Sequence, residues 1–482
     1  MIDFRPVAYV CGVIVACFGS AMFVPMLVDM IHRNGEWKTF AVSGVLTFLV
    51  GTCMALSTRN AVGDGLTIRQ TFILTTGVFV VIPMFGALPF MFGASELSFT
   101  DALFESMSGI TTTGSTVIVG LDAMPRGLLL WRGMLQWLGG VSVIIVALVF
   151  LPLLRVGGMQ LFRWDSYDSL GTILPRAAEV TRWISLIYLL LSAVCLLAFL
   201  ASGLQIFDAI VYTMTTVATG GFATHDTSFQ NLPMATEYVA PAFMFLASLP
   251  FFRYYQLANK NIVPLFRDAQ IRSFIRLCVV VILALVIWQV LVNGEPIERA
   301  FRQSLFNGMS ILTGTGYVSA DYGSWGSFPV VLFFTLGLIG GCAGSTSCSV
   351  KIFRFQLLFA AIQARIQKIK SPHAVVVPRY AGMQVPGDVV RSVLVFFVIF
   401  IGTLAGGTML LALSGLDFVT ALSGTATALA NVGPGLGPII GPTGTFAELD
   451  NFPKWVLTFL MLAGRLELSA VYALLSVKFW QG

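Results

Sequence analysis

Of the 482 residues, 57% are hydrophobic and only 11% are charged, whereas charged residues make up about 25% of an ordinary soluble domain. Mean hydropathy is +0.87 and the formal net charge is +5. These values exclude a soluble globular domain and give no sign of a nucleic-acid-binding surface; the chain belongs in a bilayer.

In chain order, stretches without Asp, Glu, Lys or Arg run over 6–28, 39–58, 70–95, 133–154, 183–207, 277–294, 322–350 and 392–416. Most reach the roughly 20 residues a helix needs to cross the hydrocarbon core. The segment 238–252 is shorter, and 454–477 is interrupted by Arg465 and Glu467. Counting both predicts ten spans, an even number that puts both termini on one side. The first run has only Arg5 before it, lacks a small-x-small cleavage site and reads as a retained helix. The seven Cys lie in or beside apolar segments without a CxxC pair, a pattern of free thiols rather than disulfides or a metal site.

The connections differ in charge. Segments 155–182, 253–276 and 351–391 carry 4, 5 and 7 Lys/Arg of the 28 in the chain, which places them and both termini in the cytoplasm. The opposite connections follow Gly/Thr-rich tracts and are acidic. Those tracts repeat: ALFESMSGITTTGS (102–115) matches SLFNGMSILTGTGY (304–317) without a gap, DAIVYTMTTVATGGF (208–222) follows the same register, and ALSGTATALANVGPG (421–435) joins more loosely. The four registers superpose Gly114, Gly221, Gly316 and Gly433.

Each copy reads as an apolar span, a helix of about ten residues too short to cross, a Gly loop and a second span. Non-helical backbone at membrane depth needs protein or a water-filled cavity around it, and four copies around an axis supply one. Close helix packing through small residues is the alternative, but it leaves the fourfold recurrence without a cause. Gly lets successive carbonyls face one side and Thr adds a hydroxyl; rings of such neutral oxygens replace the hydration shell of an alkali cation. Helix C-termini aimed at the axis also favour a cation, and no tract contains Lys or Arg.

The tracts TTTGST, ATGGFATHD, TGTGY and NVGPGLGP, with segment 137–161, GGCAGSTSCSVK and GRLEL, resemble the Trk/Ktr/HKT potassium transporter superfamily, in its bacterial TrkH/TrkG type, over nearly the whole chain. The resemblance implies an all-α polytopic fold. Two leading helices (1–65) precede four M1-P-M2 pore units, 66–158, 159–260, 261–370 and 371–482, around one pseudo-fourfold pathway. It implies a K⁺ filter built from Thr112, Thr113 and Gly114; Thr219, Gly220 and Gly221; Gly314, Thr315 and Gly316; and Asn431, Val432 and Gly433. A Ser at the first filter glycine goes with Na⁺ preference in this superfamily, so Gly in all four units points to K⁺; the departure from a symmetric TVGYG implies modest discrimination against Rb⁺ or Na⁺. A homodimer in the bacterial inner membrane and a TrkA-like cytoplasmic regulator binding NAD(H) or ATP/ADP are also implied. This chain has no GxGxxG of its own.

Segment 337–349 contains four Gly and four Ser/Thr, poor material for a continuous helix. It reads either as close helix packing or, as the resemblance implies, as an intramembrane gating loop comprising Gly340, Gly341, Cys342, Ala343, Gly344, Ser345, Thr346 and Ser347. Arg465 sits near the middle of the last span, where an unpaired charge costs at least about 2.5 kcal/mol. Two readings stand for it: an electrostatic barrier in the pore, or a salt bridge to another helix. Glu467, two residues on, projects from a different face. His225 and Asp226 either line an outer mouth or shape a loop. The run Lys351, Arg354, Arg365, Lys368 and Lys370 suits topology and lipid head groups, with partner docking second. Scattered His without HExxH argue against a membrane-embedded enzyme, and four matching Gly loops against a carrier of organic solutes. A Na⁺-permeable or weakly selective cation transporter remains the nearer alternative.

Overall fold

The computed structural model describes residues 2–61, 66–150, 157–159, 173–374 and 376–481. Much of the basic segment 155–182, and the expected boundary at residue 65, lie outside them. The described chain is mostly helical, with α1 (Arg5–Ala21), α2 (Phe23–Ile31), α3 (Trp37–Thr58), α4 (Ile68–Gly86), α5 (Phe99–Ile110), α6 (Arg126–Ile145), α7 (Ile173–Ala201), α8 (Ile206–Val217), α9 (Thr236–Ala247) and α10 (Phe251–Ala258) in the first half. The second half contributes α11 (Ala269–Leu291), α12 (Ile297–Thr313), α13 (Ser327–Gly337), α14 (Ile352–Lys370), α15 (Gly387–Leu413), α16 (Phe418–Ala430), α17 (Asn451–Arg465) and α18 (Ser469–Leu475). Large apolar side chains such as Leu49, Leu190, Leu197, Val280, Val398 and Ile401 face outward, a surface that suits a membrane rather than water.

Among the described residues, seven helices rather than ten are long and apolar enough to cross a membrane. The other three expected spans are broken, each for a local reason. Segment 238–252 divides into α9 and α10 at 248–250, where Pro250 caps the second piece and has no N–H to continue the first. Segment 322–350 leaves the helix at Gly337 and regains it at Ile352; the ends of the excursion are joined by a parallel pairing of β1 (Ile339–Gly340) with β2 (Val350–Lys351). The last span stops at Arg465, because Glu467 and Leu468 take left-handed backbone angles (φ 63 and 47°).

The leading helices α1 and α3 touch through glycines spaced seven apart. A Cβ built on Gly12 would lie 2.6 Å from the Ala55 nitrogen, and one on Gly19 would lie 2.5 Å from the Phe48 nitrogen. Gly51 and Gly44 are the facing partners, so backbone meets backbone, the packing that small residues permit in a membrane. Behind this pair, α5 packs on α4, α6 and α17, α8 on α6, α7 and α9, α12 on α9 and α11, and α16 on α15 and α17.

Candidate ion pathway

Each tract begins where one of the short helices α5, α8, α12 and α16 ends, and all four helices end in the same way. The N–H groups of Thr112, Thr219, Gly314 and Asn431 donate to the carbonyl three residues back, at 3.0, 3.0, 3.0 and 3.3 Å. The next N–H groups, of Thr113, Gly220, Thr315 and Val432, donate five residues back, at 2.8, 2.9, 2.8 and 3.0 Å. This paired pattern is a Schellman turn, which requires a left-handed residue at its centre. The four central residues have φ of 51, 50, 73 and 53°, yet only Gly314 is a glycine. Two residues on, Gly114, Gly221, Gly316 and Gly433 are left-handed again (φ 88, 83, 83 and 109°).

These second glycines are where the tracts meet. A Cβ on Gly114 would overlap the Gly220 carbonyl oxygen, one on Gly221 that of Thr315, and one on Gly316 that of Val432. On Gly433 it would approach the Thr113 oxygen to 2.8 Å. The contacts run first to second, second to third, third to fourth and fourth to first, closing a ring. Side chains stitch the ring from outside: Ser115 Oγ donates to the Gly433 carbonyl at 2.8 Å, and Asn431 Nδ2 to Thr113 Oγ1 at 2.9 Å. All twelve residues assigned to the tracts from sequence lie together; Gly114, Gly221 and Gly316 are half-buried and the other nine are buried.

The charge pairs behind the ring were not legible in the sequence. Glu105 on α5 and Arg132 on α6 form an ion pair at 2.9 Å, with side chains 0% and 1% exposed. Arg132 also donates to the Ala223 carbonyl at 2.9 Å and to Thr116 Oγ1 at 3.1 Å, while Glu105 accepts from the Val117 N–H at 2.9 Å. The pair therefore holds the strands leaving both the first and the second tract. Lys454 meets Asp101 at 2.6 Å on the opposite flank. Gln136, a lone amide within an expected apolar span, reaches the second tract.

Below the ring runs the excursion 338–351. Gly340, Gly341, Cys342, Ala343, Gly344, Ser345, Thr346 and Ser347 are all buried. The Cys342 N–H donates to the Ser248 carbonyl at 3.1 Å, the Ala343 N–H to Gln270 Oε1 at 2.8 Å, and Thr346 Oγ1 to the Ala247 carbonyl at 3.0 Å. The Phe251 N–H returns a bond to the Gly344 carbonyl at 2.9 Å. The break in 248–250 thus supplies unpaired backbone groups that the loop satisfies, as buried polar groups require.

Arg465 is buried, with both terminal nitrogens 3.4 Å from the Thr346 carbonyl oxygen and Nη1 against Cys348 Sγ. Cys348 Sγ lies 3.6 Å from Thr112 Oγ1, so the loop is wedged between the first tract and the guanidinium. No ion pair includes Arg465 among the described residues; Glu467 pairs instead with Arg354. A cavity of about 40 Å³ is lined by Ser345, Cys348, Asn431, Arg465 and Glu467 among others.

At the other end, His225 Nδ1 and Asp122 Oδ1 are 2.5 Å apart. Asp226 Oδ1 accepts from the Gly120 and Leu121 N–H groups, each at 3.1 Å. His225 and Asp226 join the connections following the first two tracts. The His225 hydrogen bond holds the Asp122 carboxyl below the usual carboxylate range. His32 faces Arg126 at 2.8 Å, and His373 is exposed.

A multi-pass, mostly helical membrane chain with neutral polar tracts gathered at its centre is a cation transporter in outline, and similarity makes the class definite. The chain belongs to the TrkH family of cation transport proteins, transporters rather than enzymes, whose family model matches residues 37–482. Over 478 residues it is 40% identical to the Trk system potassium uptake protein TrkI of Halomonas elongata, covering 99% of this chain and 97% of the relative. Trk system potassium uptake protein TrkH of Escherichia coli is 33% identical over 485 residues, 99% of each chain. The crystal structure of the potassium transporter TrkH from Vibrio parahaemolyticus has a TM-score of 0.91 and 32% identity, covering 99% of this chain and 100% of that one.

Proposed function

We propose that this chain carries K⁺ inward across the bacterial inner membrane through a filter formed by the four tracts. The observation that carries the reading is the closed ring of contacts at Gly114, Gly221, Gly316 and Gly433, each made with a backbone carbonyl oxygen of another tract. Such oxygens replace the water of a weakly hydrated monovalent cation. The names of the relatives, potassium uptake proteins all, favour K⁺ over the Na⁺-permeable alternative.

In this reading the chain consists of leading helices (1–65) and four M1-P-M2 units, 66–158, 159–260, 261–370 and 371–482, with α5, α8, α12 and α16 as the P helices. The loop 340–347 acts as the gate, since it lies under the first tract and is held by hydrogen bonds that a small displacement would break. Arg465 raises the barrier to cations there. The Trk naming of the relatives supports a cytoplasmic regulatory subunit, for which a TrkA-like protein binding NAD(H) or ATP/ADP is the candidate. A homodimer with both termini cytoplasmic completes the proposal.

The test is K⁺, Rb⁺ and Na⁺ flux in proteoliposomes. Gly316→Ala adds a methyl group against the Val432 carbonyl and forces an L-residue into left-handed backbone, which alone costs about 1–2 kcal/mol. K⁺ flux is expected to fall by about tenfold or more, with altered selectivity. Unchanged fluxes of all three ions would remove the filter assignment.

A further inference from the structure

The four tracts differ in what stands behind their middle residue. In the first and third, the Thr113 and Thr315 hydroxyls each lie 2.8 Å from the hydroxyl two residues earlier, of Thr111 and Thr313. In the second and fourth the earlier residue is Ala218 or Ala430, and the middle one is Gly220 or Val432. Only Gly220 lacks a side chain. A Cβ there would overlap Cδ, Oε1 and Nε2 of Gln136, so the carboxamide fills the place of the missing group.

Gln136 lies on α6 and is 0% exposed. Its Nε2 donates to the Gly220 carbonyl at 2.6 Å, and its Oε1 accepts from the Phe222 N–H at 3.1 Å. The Phe222 N–H can only donate, which fixes the orientation of the amide. Among the described residues, the Thr113, Thr315 and Val432 carbonyls accept no hydrogen bond, and that of Gly220 does. The two bonds of one side chain thus bracket Gly221, the ring glycine that abuts Thr315.

We propose that Gln136 is a positioning residue for ion discrimination. It clamps the second tract on both sides of Gly221 and draws part of the Gly220 carbonyl's negative potential away from a passing cation. This rests on the filter reading above. A clamped strand cannot close around an ion smaller than K⁺; an unclamped one can, so loss of Gln136 favours Na⁺. The clamp also implies complementarity: a side chain at 220 and a large amide at 136 exclude each other.

The experiment measures K⁺ and Na⁺ fluxes of the full chain in proteoliposomes. Gln136→Leu keeps the bulk and removes both bonds, and the K⁺/Na⁺ flux ratio is expected to fall about tenfold, the scale of one to two lost hydrogen bonds. Gly220→Val copies the fourth tract; alone it collides with Gln136, and K⁺ flux is expected to fall by more than about tenfold. Combined with Gln136→Ala, which removes the collision, it is expected to carry K⁺ at least about threefold faster than Gly220→Val alone, with a K⁺/Na⁺ ratio that stays below the parent's because neither bond is restored. A ratio within about twofold of the parent for Gln136→Leu, or a double variant no better than Gly220→Val, overturns the inference. If Gln136→Leu does not fold, the Gly220 pair decides alone. Gly316→Ser in the same assay separates the two levels. A ratio moved by Gly316→Ser but not by the Gln136 variants rejects only the clamp, whereas one moved by neither rejects the filter as well.

Discussion

Replacing Arg132 with Met tests whether the buried pair behind the first tract holds the strands in place. The substitution preserves most of the packing volume but leaves the Glu105 carboxylate, 0% exposed, without its cation. Breaking a buried pair from one side costs about 3–5 kcal/mol. The Ala223 carbonyl and Thr116 hydroxyl lose donors at the same time, which places the loss at the upper end of that range. At about 2.1 cal/mol/K per residue, unfolding a chain of 482 residues has an entropy near 1 kcal/mol/K. The apparent thermal midpoint in detergent should therefore drop by about 4–5 °C. Adding Glu105→Gln removes the stranded charge and should regain about half of the loss, since replacing both members of a pair is milder than removing one. A double variant less stable than Arg132→Met alone would refute the reasoning, because it would show that Glu105 stabilises the fold without Arg132.

Two further outcomes follow from the ends of the pathway. Deleting several residues of 340–347 breaks the bonds to Ala247, Ser248 and Gln270, and it should raise K⁺ flux in proteoliposomes lacking any regulatory subunit; no gain would dismiss the loop as a gate. At the end away from the loop, the depressed Asp122 carboxyl contributes stability above its unfolded value of about 3.9, and that contribution disappears as pH falls through the lower folded value. Hydrogen exchange at 120–123 and 223–226 should therefore accelerate below about pH 4, and Asp122→Asn should abolish that acid dependence while Asp226 and Asp208, whose Oδ2 lies 3.9 Å from His225 Nε2, remain. An acid limb retained in the variant would assign the effect to those two carboxylates.

The register of the tracts was legible because a left-handed, closely approached position admits only glycine, and the second such position is Gly in every copy. The first was not, since Thr112, Thr219 and Asn431 occupy left-handed backbone without that mark, held there by their Schellman bonds. Breaks in the second spans were legible in unequal degree. The run of Gly and Ser/Thr at 337–349 announced one, and Pro250 could have announced another. The third, at Leu468, has no compositional sign beyond the charges at Arg465 and Glu467. Pairings across the chain, such as Glu105 with Arg132 or Arg354 with Glu467, depend on helix placement that residue spacing does not encode. Gln136 offered one usable signal: a single amide among apolar neighbours in a bilayer needs a partner.

The glycine contact between α1 and α3 bears on how the chain is made. Its surfaces are complete within the first 58 residues, so this hairpin can close in the bilayer while the rest of the polypeptide is still being synthesised. Whatever is assembled afterwards meets a finished two-helix post, against which Phe18 and Phe40 present their rings to Trp131. The leading helices are in that sense a scaffold for biogenesis, laid down before any of the segments that gather at the centre.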